Sequence, residues 1–355
     1  MCPRRVGHLI LWVAYYSGCG TPEVAVRRIV SGLLLQAIAL AAPMAVAGQT
    51  ASGQTASGQS GFRAPAASAS DSRSSAETAW RQHIEKWRMD RQHELSAEDG
   101  WLTLVALEWL KPGVNLVGSG PDCQIHVAGA PAHLGVLTVA HNSVQILAPE
   151  GGFPPGLKVD GKPAREGLLS TSDRGPSSLA WSTLTMVILP RGDGFALRVK
   201  DANSPVRTGF HGLHWYDPDL RYTVEARWIP SNPPKMLKIP TKIGTTLNLP
   251  SPGVAEFTLN GKKLRLEPVL EDPHDTTLFF ILRDATSKTA TYQGGRFLRT
   301  GFPDHGLKKP GTLVIDFNQL YNPPCAYTPY ATCPLPPDQN RLPVAIEAGE
   351  QRYEP

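Results

Sequence analysis

The chain has 355 residues, 41% of them hydrophobic and 19% charged, a composition that excludes a disordered or fibrous protein. Its 33 glycines and 33 prolines exceed what a helical protein carries and indicate a β-rich body with many turns. The net charge of +4 is spread along the chain without a basic stripe interleaved with aromatic residues, so no nucleic acid is expected as a partner.

Residues 1–47 have the features of an export signal. A pair of arginines precedes an apolar run over residues 29–42, and the small residues 45–47 allow cleavage before Gly48. The apolar run is too short for a membrane span. We therefore expect an exported protein, periplasmic or extracellular, with no transmembrane span in the mature chain.

A poorer signal lies further upstream. Two arginines and an apolar stretch precede Ser17-Gly18-Cys19, which is similar to a lipoprotein box except that Tyr16 stands where leucine is usual. Because two consecutive signals make little sense, we expect translation to start near Val24 or Val26. A lipid anchor at Cys19 is the competing interpretation if the upstream start is genuine.

The next two segments are predicted to be a linker and a helical lead-in. The repeat "TASGQTASGQS" and the Ala/Ser-rich stretch after it cannot bury a core, so residues 48–77 are interpreted as a disordered linker. In the lead-in, residues 78–113, Trp80, Ile84 and Trp87 recur at helical spacing among charged neighbours and predict a short amphipathic helix. The apolar stretch "GWLTLVALEWLKPG" that follows is expected to be helical as well.

Short β-strands are predicted throughout residues 114–206, with a hairpin turn at Asp160-Gly161, and this pattern predicts a β-sandwich. "VNLVGSGPDCQIHV", followed later by "VDGKP" and "FALRV", resembles a forkhead-associated (FHA) domain, a family that binds phosphothreonine. Ser119 follows Gly118 where that family has arginine, and the family's Ser-x-x-His element is missing. The FHA-like sandwich is therefore expected to be a structural shell, with Cys123 as a buried small hydrophobe.

Residues 207–355 are predicted to form a second β-module. Its strands are expected in "RYTVEARWI", "AEFTLNGKKLRLEPVL", "TLFFILRD" and "GTLVIDFN", with a hairpin turn at Asn260-Gly261. The expected fold class is mainly β: an FHA-like β-sandwich packed on a C-terminal β-module, with a short N-terminal amphipathic helix.

Several polar residues follow the apolar strand "TLVIDF". Asp316 and Asn318 end the strand, and Tyr321 and Asn322 come before a loop that prolines fix at both ends. Because an unpaired buried polar group costs about 1 to 3 kcal/mol, each of them needs a partner. The partners are turn backbones in one interpretation and a ligand in the other, since a rigid loop loses less entropy on binding.

The stretch "DATSKTATYQGGRFLRT" carries Asp284, Tyr292 and Arg296 near a Gly294-Gly295 turn. Hydroxyls and one guanidinium suit a carboxylate or phosphate, so this stretch is predicted to bind a small polar or anionic molecule. The alternative is a hairpin in which Arg296 pairs with Asp284 or Asp316. The glycine spacing fits neither nucleotide-binding fingerprint.

The stretch "NRLPVAIEAGE" adds Asn340, Arg341 and Glu347 to the predicted site. An apolar alternation before Glu347 directs its carboxylate toward the same interior as Asp316. Two neighbouring carboxylates have pKa values pushed apart, as a general acid and base pair requires. A salt bridge from Glu347 to Arg296 or Arg341 is the more common outcome.

Cys325 and Cys333 close a small loop. In an exported protein we predict a disulfide between them, which stabilises such a loop by roughly 2 to 3 kcal/mol. A thiolate nucleophile with His211, His214 or His305 as its base is one alternative, and a metal pair is another. In "HGLHWYDPD" the histidines lie on opposite sides of a strand, so we expect a turn and no metal site there. No motif indicates heme, flavin or nicotinamide, and no cofactor is expected.

Three long blocks of the chain resemble a bacterial family known as domain of unknown function 1684. They are "GWLTLVALEWLKPGVNLVGS", "DATSKTATYQGGRFL" and "DFNQLYNPPCAYTPYATCPLPPDQNRLPVAIEAGE". The resemblance covers roughly Trp80 to Tyr353. It implies an exported or lipid-anchored protein, and it implies no activity and no catalytic residue.

Three functions are consistent with these residues. The first is a hydrolase or lyase acting on a small polar or anionic compound, with Asp316 or Glu347 as the acid or base and Arg296 as a charge clamp. The second is a non-catalytic module that binds a small ligand or an envelope component. The third is a structural envelope protein whose polar cluster ties its loops together.

Overall fold

The computed structural model describes residues 69–172 and 175–354. The interpretations of an export signal, of a lipid anchor at Cys19 and of most of the linker fall on residues 1–68, outside the described part. In the described part the protein is mainly β, as expected, with several sheets and one long N-terminal helix. None of the helices in these residues is long and apolar enough to cross a membrane.

Helix α1 (Ala69–Ser96) contains the predicted amphipathic helix and extends it in both directions. Its buried face includes Ile84, which is 0% exposed, and the half-buried Trp80 and Trp87. The prediction of a linker up to residue 77 is therefore wrong for its last nine residues. A helix that is held by packing in its second half extends into preceding residues readily, because each added residue gains a backbone hydrogen bond without a new nucleus.

The apolar stretch 100–113 is a strand rather than the predicted helix. After a 3-10 turn (Trp101–Thr103), β1 (Leu104–Leu110) pairs antiparallel with β11 (Gly194–Asp201), which places Leu110 opposite Phe195. A short apolar run fits a buried strand as well as a buried helix. The free edge of β11 decides between them, because it offers a row of backbone hydrogen-bond partners.

Two sheets enclose the core of the sandwich. The strands, besides β1 and β11, are β2 (Gly113–Gly118), β3 (Ile125–His126), β4 (Gly135–Ala140), β5 (Ser143–Leu147), β6 (Lys158–Val159), β7 (Lys162–Pro163), β8 (Gly167–Leu169), β9 (Ser178–Trp181) and β10 (Leu184–Arg191). One sheet has the order β1-β11-β10-β9-β6-β7 and the other β3-β2-β4-β5-β8. Both contribute to one apolar core, with Leu137 and Ile146 from one sheet and Met186 and Leu197 from the other. The predicted β-sandwich is confirmed, and its likeness to an FHA domain stays a prediction.

The C-terminal module has a four-stranded sheet, a two-stranded sheet and long loops. Its strands are β12 (Thr223–Pro240), β13 (Thr246–Leu259), β14 (Lys262–Leu266), β15 (Leu278–Leu282), β16 (Arg296–Thr300) and β17 (Gly311–Asp316). The sheet orders are β14-β13-β12-β17 and β15-β16. The hairpin predicted at Asn260-Gly261 is present, with φ angles of 51° and 73°. Trp228, Phe280 and Phe317 are 0% exposed in the core of this module.

The two β-modules are joined by a short helix, α2 (Pro205–Thr208). The hydroxyl of Ser204 accepts a hydrogen bond from the backbone of Arg207 and donates one to the carbonyl of Leu102. The hydroxyl of Thr328, in the loop between the cysteines, donates to the carbonyl of Leu104. Residues from Ala79 onward form one compact unit, so the predicted boundary between residues 206 and 207 stays a proposal.

Candidate functional site

The polar network of the C-terminal module is built around a buried ion pair between Arg296 and Asp284. Their nitrogen and oxygen atoms lie 2.8 Å apart, and the side chains are 0% and 1% exposed. Arg296 also donates to the carbonyls of Ala348 at 2.5 Å and Ile346 at 2.9 Å. Asp284 accepts from the backbone and hydroxyl of Thr286. The predicted hairpin with an Arg296–Asp284 pair is confirmed.

This ion pair binds the chain's own C-terminal segment, residues 346–350. The guanidinium has no surface exposed to solvent, so it has no open side for an anionic ligand. A glycine is required next to it: at Gly295, where φ is 94°, an added Cβ would lie 2.5 Å from the ring of Pro336 and 2.6 Å from the carbonyl of Leu282. The backbone at Gly295, immediately before β16, therefore packs closely against Pro336 and Leu282.

A second buried acid, Glu350, was missed by the sequence analysis. Its carboxylate accepts hydrogen bonds from the backbone of Asn322 at 3.0 Å, the side chain of Asn322 at 2.7 Å, and the hydroxyl of Tyr327. Burial raises the pKa of Glu350, while the charge of Arg91 and these hydrogen bonds oppose the rise. Burial also raises the pKa of Tyr327 well above its usual value.

Helix α1 contributes to this cluster through Arg91. Its guanidinium donates to the carbonyl of Asn322 at 3.0 Å and lies 4.7 Å from the ring centre of Tyr321. The cluster therefore fastens the helix to the loop that follows β17.

Glu347 does not point inward as expected. It is exposed, whereas its neighbours Ile346 and Ala348 are buried. The salt bridge expected from Glu347 to an arginine is also absent, because Arg296 pairs with Asp284 and Arg341 lies on the surface, 3.4 Å from Asp338. The interior carboxylate is Glu350, which follows Gly349 with its φ of 77°. Buried and exposed residues alternate from Leu342 to Ala348, and this alternation places Glu347 on the exposed side and Glu350 on the buried side.

Asp316 and Asn318 tie the end of β17 to other parts of the module. Asp316 accepts from the backbone and side chain of Asn318, at 3.0 and 2.8 Å, and from the indole of Trp80 at 2.8 Å. The side chain of Asn318 in turn bonds the backbone of Asp219 in both directions, at 2.9 Å. Asp316 and Asn318 thus bond to groups of the turn and of the backbone, which is the first of the two interpretations, and not to a ligand.

Asn340 has a similar role at another junction. Its side chain accepts from the backbone of Glu267 at 2.8 Å and donates to the carbonyls of Glu267 and Ile281 at 2.9 and 3.1 Å. The residue thereby links the ends of β14 and β15.

Cys325 and Cys333 lie together beneath the proline-rich loop, and both are free thiols in the structure. The disulfide predicted between them is not formed there. The loop is instead closed by a weaker contact, in which the backbone of Cys325 donates to the sulfur of Cys333 at 3.1 Å. The hydroxyl of Tyr292 lies 3.5 Å from the sulfur of Cys325 and 2.9 Å from its carbonyl oxygen.

The surroundings of the two thiols make them unequal. A hydrogen bond from Cys333 lowers the pKa of Cys325 to about 7; burial opposes this effect, and Tyr292 and the ammonium of Lys242 add to it. Burial raises the pKa of Cys333 well above its usual value. The Tyr292 phenol and the Lys242 ammonium thus help to lower the pKa of Cys325, and they take the place of the histidine base considered from the sequence.

Residues 208–351 match a family described as a protein of unknown function, DUF1684. The chain belongs to this family. It is also similar to the solution NMR structure of an uncharacterized protein from Haloarcula marismortui: the two are 33% identical, the match covers 41% of this chain and 78% of that chain, and the TM-score is 0.36. No curated protein matches the chain.

The part of the chain that matches DUF1684 contains the Arg296–Asp284 pair, Glu350 and both cysteines. It does not contain Arg91 or Trp80, which reach these residues from α1. The polar network of this family member is therefore completed by a helix outside the matched residues.

We expect Arg296→Met to lower the free energy of unfolding by about 3 to 5 kcal/mol, because it leaves Asp284 charged, buried and without its cation. Arg341→Met, at an exposed arginine, is the matched control and should change stability by less than about 0.5 kcal/mol. Urea unfolding followed by fluorescence measures both. Equal effects of the two substitutions would contradict the structural role of Arg296.

Glu350 should make stability depend on pH in a defined direction. Its pKa is higher in the folded than in the unfolded protein, so the folded protein holds the proton more tightly, and stability falls as pH rises from about 4.5 through the raised folded pKa. Glu350→Gln removes this titration. The unfolding free energy of the wild type minus that of the variant should therefore decrease with pH above about 4.5 and be constant below it. A difference that is flat over the whole range would refute the assignment.

Proposed function

We propose that the protein is a thiol–disulfide exchange protein and that Cys325 is its nucleophile. The observation that carries the proposal is the environment of the Cys325 sulfur, which has the Tyr292 hydroxyl as a hydrogen-bond donor at 3.5 Å, while the Cys333 sulfur lies 3.1 Å from the Cys325 backbone nitrogen. The thiolate is the reactive form of cysteine, and hydrogen-bond donors and cations favour it. A pKa near the ambient pH gives an attacking thiol close to its optimum.

The exchange consists of two substitutions at sulfur. The Cys325 thiolate attacks one sulfur of a substrate disulfide, a mixed disulfide forms, and the other sulfur leaves as a thiolate that takes up a proton. Cys333 then loses its proton and attacks the sulfur of Cys325, which releases the second substrate thiol. In total, the protein gains one disulfide and the substrate disulfide becomes two thiols.

The surface above the thiols offers a place for a substrate. Ile243 and Tyr330 are 36% and 37% exposed, and they belong to the two loops that carry Lys242 and the cysteines. Because Cys325 itself is only 5% exposed, a disulfide reaches it when residues 326–332 move aside. An apolar rim beside a cation favours an extended peptide segment around the substrate disulfide.

Export belongs to the same proposal. The signal predicted in residues 1–47 would deliver the protein to a compartment in which disulfides form and persist, and in which exchange partners are therefore present. The mass of the N-terminus of the mature protein tests this point, because it separates cleavage before Gly48 from a lipid on Cys19.

The hydrolase or lyase considered from the sequence receives less support. Its charge clamp, Arg296, donates to Asp284 and to backbone carbonyls inside the protein. Its two carboxylates are dispersed, since Asp316 is held by Asn318 and Trp80 while Glu347 lies on the surface. A binding module for a small anion would need the same arginine.

The proposal is tested by trapping the mixed disulfide with oxidised glutathione in the native full-length chain. Cys333→Ser should accumulate a glutathione adduct on Cys325, because the second substitution is blocked, and Cys325→Ser should react at least about tenfold more slowly. The rate of adduct formation should rise with pH through about 7, the pKa of Cys325. Every sample carries Cys2→Ser, Cys19→Ser and Cys123→Ser, so that Cys325 and Cys333 are the two cysteines left to the wild-type pair.

Adduct formation has to be measured on the folded protein. Adducts that form only in denaturant, or equally fast in both single variants, would mean that the cysteines have a structural role.

A further inference from the structure

The second site lies in the β-sandwich, at the turn between β2 and β3. Cys123 is in this turn, and it is partly exposed rather than buried as predicted. Asp122 beside it is exposed, and His133 approaches from the segment before β4. Nothing in the thiol chemistry proposed above uses these residues.

The three side chains form a compact set of metal-ligating atoms. The Nε2 atom of His133 lies 3.0 and 2.9 Å from the two carboxylate oxygens of Asp122. One donor atom each from Asp122, Cys123 and His133 lies within 4.8 Å of the other two, and within residues 69–172 and 175–354 this is the single group of its kind.

The backbone holds these donors in place. The amide of Gly120 donates to the carbonyl of Ala132, and the amide of Cys123 donates to the carbonyl of Gly120, at 2.9 and 3.1 Å. The neighbouring Ser119 amide bonds the Pro131 carbonyl at 2.9 Å. The turn is thereby fixed against the segment that carries the histidine.

Gly120 lets the side chains come together. A Cβ at this position would lie 2.7 Å from a carboxylate oxygen of Asp122 and 3.4 Å from Nε2 of His133. The acid and the imidazole therefore lie directly over the glycine, in space that any other residue would occupy.

We propose that Asp122, Cys123 and His133 bind a divalent transition metal ion, with Zn²⁺ as the best match. Sulfur, nitrogen and oxygen donors of this kind are the ligands of Zn²⁺, and three protein ligands leave the fourth tetrahedral position for water. Carboxylate and thiolate together balance the charge of a divalent ion. The exposure of the site leaves a path for the ion to enter.

The distances require only small side-chain movements. Bonds of about 2.0 to 2.3 Å to a tetrahedral Zn²⁺ separate its nitrogen and oxygen ligands by about 3.4 Å, and its sulfur and nitrogen ligands by about 3.6 Å. The Asp122 and His133 atoms thus move apart by about half an ångström, and the sulfur already lies within 4.8 Å of both. The thiol hydrogen that Cys123 now donates to the Ala132 carbonyl, at 3.2 Å, is released as a proton when the metal binds.

The test uses the full-length chain and Co²⁺ as a visible substitute for Zn²⁺. One equivalent of Co²⁺ should produce a thiolate-to-cobalt charge-transfer band, and Zn²⁺ should abolish it. Cys123→Ser and His133→Gln should each lose the band. His126→Gln is the matched control, because His126 is an exposed histidine on the adjacent strand β3, and it should keep the band.

A second comparison separates this site from the Cys325–Cys333 pair. The double variant Cys325→Ser, Cys333→Ser should retain the band at full intensity. If the wild type shows no band, or if the band survives Cys123→Ser and disappears in the double variant, the site proposed here is wrong. Circular dichroism of each variant confirms that loss of the band is not loss of the fold.

Discussion

The buried pair of Arg296 and Asp284 is the constraint on which the C-terminal module depends. Removing two charges from water costs several kcal/mol for each ion unless hydrogen bonds satisfy the remaining polar atoms. Here the carbonyls of Ile346 and Ala348 accept from the two terminal nitrogens of Arg296, so the C-terminal segment has to cover the pair. That covering segment in turn carries Glu350 into the interior.

The buried carboxylate of Glu350 requires a compensating positive charge, which helix α1 supplies. A buried carboxylate needs donors and a nearby cation. Asn322 and Tyr327 donate to it, and Arg91 of α1 supplies the positive charge. The helix is thus an electrostatic partner of the matched DUF1684 residues as well as a hydrophobic cover for them. The polar residues that suggested a ligand from their sequence pattern mostly serve to join distant segments.

Sequence patterns predicted most of the sandwich and the C-terminal strands, because turn residues such as Asn260-Gly261 specify their geometry locally. The sequence patterns gave wrong predictions where contacts between residues far apart in the chain determine the structure. The apolar run of β1 is a strand because it pairs with the edge of β11. Glu350 rather than Glu347 is the inner acid because the even-numbered residues from Leu342 to Ala348 are the ones that pack into the interior. Cys123 was predicted to be buried from residue type alone, whereas its exposure depends on how the turn packs against residues 130–134.

The central claim is that the polar residues hold the module together while the cysteine pair reacts. The most direct test is the reduction potential of the Cys325–Cys333 pair, measured in glutathione buffers on the native chain. Exchange proteins have potentials of about −270 to −120 mV, and structural disulfides of secreted proteins lie below about −300 mV. We expect a value in the first range. A value below about −300 mV would contradict the exchange function and would mean that the pair forms a structural disulfide in the proline-rich loop.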